Sequence, residues 1–148
     1  MALGPAANAR TSSPSLQGYA ALFEAIAAHS RLGLNVVSDL GIHDAYSKPL
    51  GILVDAGRRL GGLPVLFVGV ICPIEVIMAR RNADPKGYVA GDGVPEPVRR
   101  WQEAVHQPGI YDLEVDTSVT SPEHCAESIR QALVGPQSPT AFEHLIDA

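Results

Sequence analysis

Hydrophobic residues recur at helical spacing in several separate stretches of the chain. The first stretch begins at Ser13-Pro14, where Ser13 is a favourable N-cap and Pro14 a favourable first helical residue, and it ends at Gly33. The same spacing, often opened by proline and closed by glycine, predicts further helices over residues 49–60, 73–82, 94–105 and 121–134 and one more turn over 142–146.

Three shorter apolar stretches have the character of β-strands. Residues 34–39 predict a short buried strand that ends in the carboxylate of Asp39, and residues 111–115 alternate as a short strand does. Residues 63–70 are apolar throughout, which is typical of a central parallel strand buried on both faces. Because strands and helices alternate, we expect an α/β fold with a parallel sheet and helices on both of its faces.

The composition is that of a globular domain. A length of 148 residues suits one compact domain, and a hydrophobic fraction of 46% supplies enough apolar material for a core. We expect residues 1–15 to be a flexible lead-in, residues 16–135 to form the domain and residues 136–148 to be a C-terminal tail. The formal net charge is −5, so phosphate counterion release does not favour a nucleic-acid partner.

We also expect a soluble, cytoplasmic protein without a membrane partner. Residues 1–15 lack the basic and then apolar pattern of a signal peptide, and the longest apolar run, residues 63–74, is shorter than the roughly 20 residues of a membrane span. Cys72 and Cys125 are far apart in sequence and form no metal motif or disulfide framework, so we interpret both as small buried apolar residues.

Ligands of open parallel sheets bind at the carboxyl ends of the strands, and Asp39 is the first candidate there. A carboxylate at this position can hold Mg²⁺ directly or through water, or accept a proton from a substrate hydroxyl. His43 and Asp44 follow in a polar loop and are candidates for substrate binding. The alternatives are that Asp39 caps a turn and that His43 is simply solvated.

Two further groups of residues are candidates for binding phosphate and a base. Arg80 and Arg81 end the third predicted helix, with Lys86 in the following loop, and guanidinium groups suit phosphate oxygens. Basic residues also favour helix C-termini because they offset the helix dipole, so this signal has a structural alternative. Asp116, Thr117 and Ser118 follow the last predicted strand, where they either line a purine pocket or form a common polar turn.

Several well-known catalytic patterns are missing from the sequence. It contains no G-x-S-x-G nucleophile elbow, no H-E-x-x-H zinc motif, no G-x-G-x-x-G loop and no EF-hand loop. Acyl transfer through a nucleophile elbow and metalloprotease chemistry therefore find no support.

Taken in order, several blocks of the sequence resemble the chloramphenicol phosphotransferase-like kinases, over about residues 19–134. These blocks are residues 32–39 (LGLNVVSD), 64–75 (PVLFVGVICPIE), 79–81 (ARR), 106–117, which ends in YDLEVDT, and the helix around 125–126. The resemblance implies a partial P-loop kinase-type parallel sheet flanked by helices, with the first two strands missing. It also implies ATP-dependent phosphorylation of a small-molecule alcohol, which is the antibiotic chloramphenicol in the namesake enzyme.

The resemblance also implies roles for the candidate residues, with Mg-ATP as the cofactor. Asp39 would occupy the Walker-B-like strand end, Arg80 or Arg81 would open the lid, and Lys86 would lie in it. Asp116 and Thr117 would lie near the adenine.

The sequence departs from the family in one respect that matters for activity. Members begin with a strand and a G-x-x-x-x-G-K-[ST] loop that cradles the phosphates, and no Gly-Lys pair occurs anywhere in these 148 residues. We therefore expect little or no kinase activity from this chain alone. The missing strand would lie between residues 34–39 and 63–70, so we also expect marginal stability or self-association through an open sheet edge.

Two other functions remain open at this point. One is a non-enzymatic small-molecule-binding or regulatory domain that keeps a pocket near His43 and Asp44 or dimerises through the open edge. The other is an unrelated α/β enzyme in which Asp39 and His43 act together as a base.

Overall fold

A computed structural model of the chain describes residues 14–42, 49–84, 93–136 and 138–147. Along these residues the order of elements is α1 (Pro14–Arg31), α2 (Ile52–Leu60), β1 (Val68–Ile71), α3 (Ile74–Ala83), α4 (Glu96–Val105), β2 (Leu113–Asp116), α5 (Pro122–Val134) and α6 (Ala141–Asp147). The two strands pair in parallel, with Val68 opposite Leu113 and Ile71 opposite Asp116. The predicted α/β class, with a parallel sheet flanked by helices, is confirmed.

Most helix ends lie where the sequence predicts them, and the end groups show why. Ser121 caps α5, because its side chain accepts a hydrogen bond from the backbone N–H of His124. The second helix begins at Ile52 and not at Pro49, because Gly51 takes the left-handed conformation, with φ at 71°, and acts as its N-cap. None of the helices in the described ranges has both the length and the apolar character that a bilayer crossing requires.

The main core lies where α1, α2 and α6 meet. Phe23 of α1, Leu53 of α2 and Leu145 of α6 are almost fully buried in it. Phe142 of α6 stacks on Phe67, with ring centroids 4.8 Å apart, and so joins this core to the residue that precedes β1. The C-terminal helix therefore packs as part of the core, although the sequence shows it only as a single helical turn.

The strand predicted over residues 34–39 does not form, and that prediction is wrong. These residues are irregular and exposed, with Leu34 at 53%, Val36 at 42% and Val37 at 100% relative exposure. A strand exists only where a neighbour takes up its backbone hydrogen bonds, and the sheet in the described part of the chain contains β1 and β2 alone. Asp39 consequently does not stand at the end of a strand.

The strand predicted over residues 63–70 is shorter and less buried than expected. It begins at Val68, because Pro64 and a tight turn that joins the N–H of Val65 to the carbonyl of Leu63 precede it. Val70 is 56% exposed, so the expectation of burial on both faces is also wrong. The face of β1 that carries the side chain of Val70 is therefore partly open to solvent within the described structure.

Candidate functional site

The carboxyl ends of β1 and β2 meet in a polar group of side chains, here called the strand-end corner. The backbone N–H of Thr117 donates to the carbonyl of Ile71 at 2.9 Å, which continues the parallel pairing past the end of β2. The members of the corner are Cys72, Arg80, Gln102, Asp116, Thr117 and Ser118. Strand ends of this kind are where open parallel sheets bind ligands.

Arg80 of α3 is anchored to the turn after β2. Its Nη1 donates to the hydroxyl of Thr117 at 3.3 Å, and its Nη2 donates to the carbonyl oxygen of the same residue. Arg80 lies one helical turn after Ile77, a half-buried residue of α3, and this spacing directs it back over the strand ends. The guanidinium remains exposed and keeps donors for a ligand, since it has five N–H groups.

Thr117 acts as the seat of this arginine. Its hydroxyl donates to the carbonyl of Ile71 at 3.2 Å and accepts from Arg80, so both roles of the hydroxyl are in use. The side chain thus holds the guanidinium at the ends of both strands.

Asp116 closes the turn after β2 and brings a negative charge to the corner. Its Oδ1 accepts from the backbone N–H of Ser118 at 2.8 Å and from the hydroxyl of Ser118 at 2.6 Å. These two hydrogen bonds, and then the nearby charge of Arg80, lower the pKa of the Asp116 carboxyl below its ordinary value. The corner therefore pairs an ionised carboxylate with a fixed cation at neutral pH.

Sequence reasoning missed two members of the corner, Gln102 and Cys72. The amide Nε2 of Gln102 donates to the carbonyl of Cys72 at 2.9 Å and ties α4 to the end of β1. The buried thiol of Cys72 lies 3.7 Å from Nη1 of Arg80. One available signal was the position of Gln102 one helical turn after Val98, on the apolar stripe of α4.

The other predicted site residues are not brought into the corner. Asp39 is exposed and has no hydrogen bond or ion pair with another residue in the described ranges, although nearby Gly41 packs closely on the ring of Trp101. Arg81 is half-buried in the last turn of α3, one residue after Arg80. The predicted site residues His43, Asp44 and Lys86 lie outside the described residues.

The corner offers a fixed guanidinium and an ionised carboxylate. A guanidinium binds phosphate oxygens through paired hydrogen bonds or stacks on a planar ring, and a carboxylate accepts from amino and hydroxyl groups. Histidine, cysteine and acidic side chains in the described ranges form no group of three that could hold a metal ion. The corner is therefore suited to an anionic ligand that also carries hydrogen-bond donors.

Comparison with known proteins points to one family. The family described as chloramphenicol phosphotransferase-like protein has a model that matches residues 6–134. This range includes every element from α1 to α5, and with them the strand-end corner, whereas α6 lies beyond it. Comparisons with the curated proteins and with the solved structures found no match. Because the matched range covers most of the 148 residues, the chain belongs to the chloramphenicol phosphotransferase-like protein family.

Proposed function

We propose that the strand-end corner is the nucleotide side of an ATP-dependent small-molecule O-phosphotransferase site. Membership of the family indicates a phosphotransferase type of function with a nucleotide donor and a small-molecule substrate. The observation that carries the proposal is the placement of Arg80, whose exposed guanidinium is fixed by Thr117 at the carboxyl ends of both parallel strands. A preorganised cation of this kind favours a phosphate-bearing ligand without a large ordering cost.

The proposal assigns the two sides of the corner to different parts of ATP. The turn at Asp116 and Thr117 would border the base, where the ionised carboxylate can accept hydrogen bonds from an amino group. Arg80 would reach from this turn towards the phosphates, with Arg81 and Lys86 nearer the lid. Asp39, His43 and Asp44 would then serve the acceptor alcohol, with Asp39 as the proton acceptor.

We further propose that this chain alone transfers phosphate slowly or not at all. A phosphate loop supplies backbone N–H groups, a lysine and a Mg²⁺-binding hydroxyl, and no Gly-Lys pair occurs in the sequence. ATP would then bind through the base and Arg80 without a tight Mg²⁺ clamp. Weak binding that hardly depends on Mg²⁺ is the expected signature.

The test is an isothermal titration of the chain with ATP, in the presence of Mg²⁺ or of EDTA. We expect similar weak binding in both conditions, and binding about 10- to 100-fold weaker in Arg80→Gln, because a hydrogen bond to a charged group is lost. Arg130→Gln is the matched control, since Arg130 is an exposed arginine paired with Glu127 on its own helix. This control should bind ATP as the unchanged chain does.

Release of ADP in the presence of chloramphenicol tests the second part of the proposal. We expect no release above the rate without protein. The absence of ATP binding, or equal binding by Arg80→Gln and Arg130→Gln, would refute the proposed nucleotide side. Tight, Mg²⁺-dependent binding with turnover would refute the proposed lack of activity.

A non-enzymatic dimerising or regulatory domain is the second candidate function. The observation that favours it is that no strand in the described ranges pairs with the second edge of β1, beside which Val70 is exposed. Such a domain would bind a small alcohol but not ATP, so the ATP titration separates it from the proposed phosphotransferase. The ADP measurement does not separate them, because neither is expected to release ADP.

A further inference from the structure

The sheet has two edges, and they differ in charge. Along β2, the backbone groups of every second residue face β1. Glu114 and Asp116 are the residues between them, so their backbone groups face the outer edge of the sheet. A second β2 placed alongside would bring like charges close together, which is unfavourable. Along β1 there is no charged side chain, and none occurs anywhere in residues 60–74.

The backbone groups of β1 point alternately to β2 and away from it. The carbonyls of Phe67 and Ile71 accept hydrogen bonds from Asp112 and Thr117, so these positions face β2. Val68 and Val70 lie between them in the alternation and direct their N–H and C=O groups to the other side. Within the described ranges no strand lies on that side, because β2 is the only neighbour of β1.

The exposed edge also lacks the features that usually prevent strands from pairing between molecules. Native edges are commonly protected by charged side chains, proline or a bulge, and β1 (Val68–Ile71) has none of the three. The amide of Gln102 already occupies the carbonyl of Cys72, so the open part of the edge ends there. Val70 leaves 56% of its surface exposed beside this edge.

The sequence around the edge is self-complementary. Val68, Gly69 and Val70 read the same in both directions, so two copies of β1 related by a two-fold axis at Gly69 would place Val68 opposite Val70 of the other copy. Gly69 has no side chain on the face where the ring of Tyr111 already packs, so it presents no obstacle at the axis. The neutral edge adds no charge repulsion to this arrangement.

We propose that β1 pairs antiparallel with β1 of a second copy, with Gly69 on the two-fold axis. The N–H and C=O groups of Val68 would exchange hydrogen bonds with those of Val70 in the other copy, and the reverse pair would do the same. Both copies of Val70 would lie against a valine of the partner copy and lose their exposure. The result is a continuous four-stranded sheet, a property that goes beyond the proposed nucleotide site and does not depend on it.

Sedimentation velocity of the full chain over a range of concentrations up to about 1 mM tests the pairing. We expect a reversible monomer–dimer equilibrium. Val70→Lys should raise the dissociation constant by about tenfold or more, because it removes two cross-strand valine pairs and places two cations near the axis. Val134→Lys is the matched control, since Val134 is 74% exposed on α5 and lies outside the proposed interface. It should leave the equilibrium unchanged.

Amide hydrogen exchange of the unchanged protein gives a second test that does not depend on a variant. The N–H groups of Val68 and Val70 should gain protection as concentration rises, whereas that of Gly69, which already faces β2, should change little. A monomer at every concentration would overturn the proposal. So would a dimer that Val70→Lys and Val134→Lys affect equally, or a dimer whose formation leaves Val68 and Val70 unprotected.

Discussion

Asp112 joins three parts of the fold, and its replacement should be among the most damaging single changes near the sheet. One carboxylate oxygen accepts from the N–H of Phe67 at 2.8 Å, just before β1. The other accepts from the N–H groups of Thr140 and Ala141, at 2.7 and 2.8 Å, and so caps the start of α6. A single side chain thus holds the beginnings of β1, β2 and the C-terminal helix together.

The magnitude follows from the groups that lose their partner. Loss of a helix cap costs about 0.5–2 kcal/mol, and a half-buried N–H left without an acceptor costs about 1–3 kcal/mol. Asp112→Ala should therefore lower the free energy of unfolding by about 2–4 kcal/mol. Asp112→Asn should cost less, because its amide oxygen can still cap α6 while its amide nitrogen cannot accept from Phe67.

Urea unfolding followed by circular dichroism measures these differences. Glu114→Ala is the matched control, since Glu114 is exposed two residues farther along the same segment, and its change should stay within about 0.5 kcal/mol. The reasoning is refuted if Asp112→Ala costs no more than Glu114→Ala, or if Asp112→Asn is as damaging as Asp112→Ala. The first result would mean that the three N–H groups find water or other acceptors without a cost. The second would mean that the amide oxygen of asparagine does not replace the carboxylate oxygen as the cap of α6.

Two further predictions concern packing and ionisation. Gly57→Ala should destabilise the fold by about 1–3 kcal/mol, because a Cβ there would lie 2.6 Å from the carbonyl oxygen of Phe142. Gly18→Ala should instead stabilise α1 by about 0.4–1 kcal/mol, because the space around Gly18 is open. Thermal melts of the two variants measure both effects. Ser118→Ala should raise the pKa of Asp116 towards its ordinary value, as carboxyl NMR titration would show. Because the fold lowers this pKa, the ionised Asp116 carboxylate stabilises the folded state. That stabilisation is complete above the pKa of the carboxyl in the unfolded chain and is lost as the pH falls through its pKa in the folded chain. Since Ser118→Ala raises the pKa in the folded chain, the variant should lose the stabilisation at a higher pH.

The helices were predictable because their signals are local. Ser121 and Pro122 set the start of α5 from adjacent positions, and α3 begins one residue from its expected start after Pro73. Gly51 shows the limit of such signals, since its left-handed conformation delays α2 and depends on the path of the preceding chain. Periodic segments therefore predict correctly that a helix forms, whereas the residue at which the helix begins also depends on the conformation of the preceding chain.

The strands were less predictable because a strand depends on a partner that can be far away in sequence. Residues 34–39 have the apolar content of a strand, yet they are exposed because no strand in the described ranges lies beside them. The strand-end corner was half predictable for a similar reason. Arg80 and Thr117 were candidates separately, but their hydrogen bond spans 37 residues, and no local pattern indicates it.

The short strand β2 links the stability of the fold to the geometry of the proposed site. Asp112, just before β2, binds the N–H of Phe67 just before β1. Thr117, just after β2, binds the carbonyl of Ile71 at the end of β1. Only Leu113–Asp116 separates these two attachments, so β2 has little freedom to shift relative to β1. Because Thr117 also binds Arg80, the backbone pairing of the two strands sets the position of the guanidinium and restricts the motion of the arginine side chain. An arginine held in this way can select a ligand by geometry as well as by charge, which a free surface arginine cannot do.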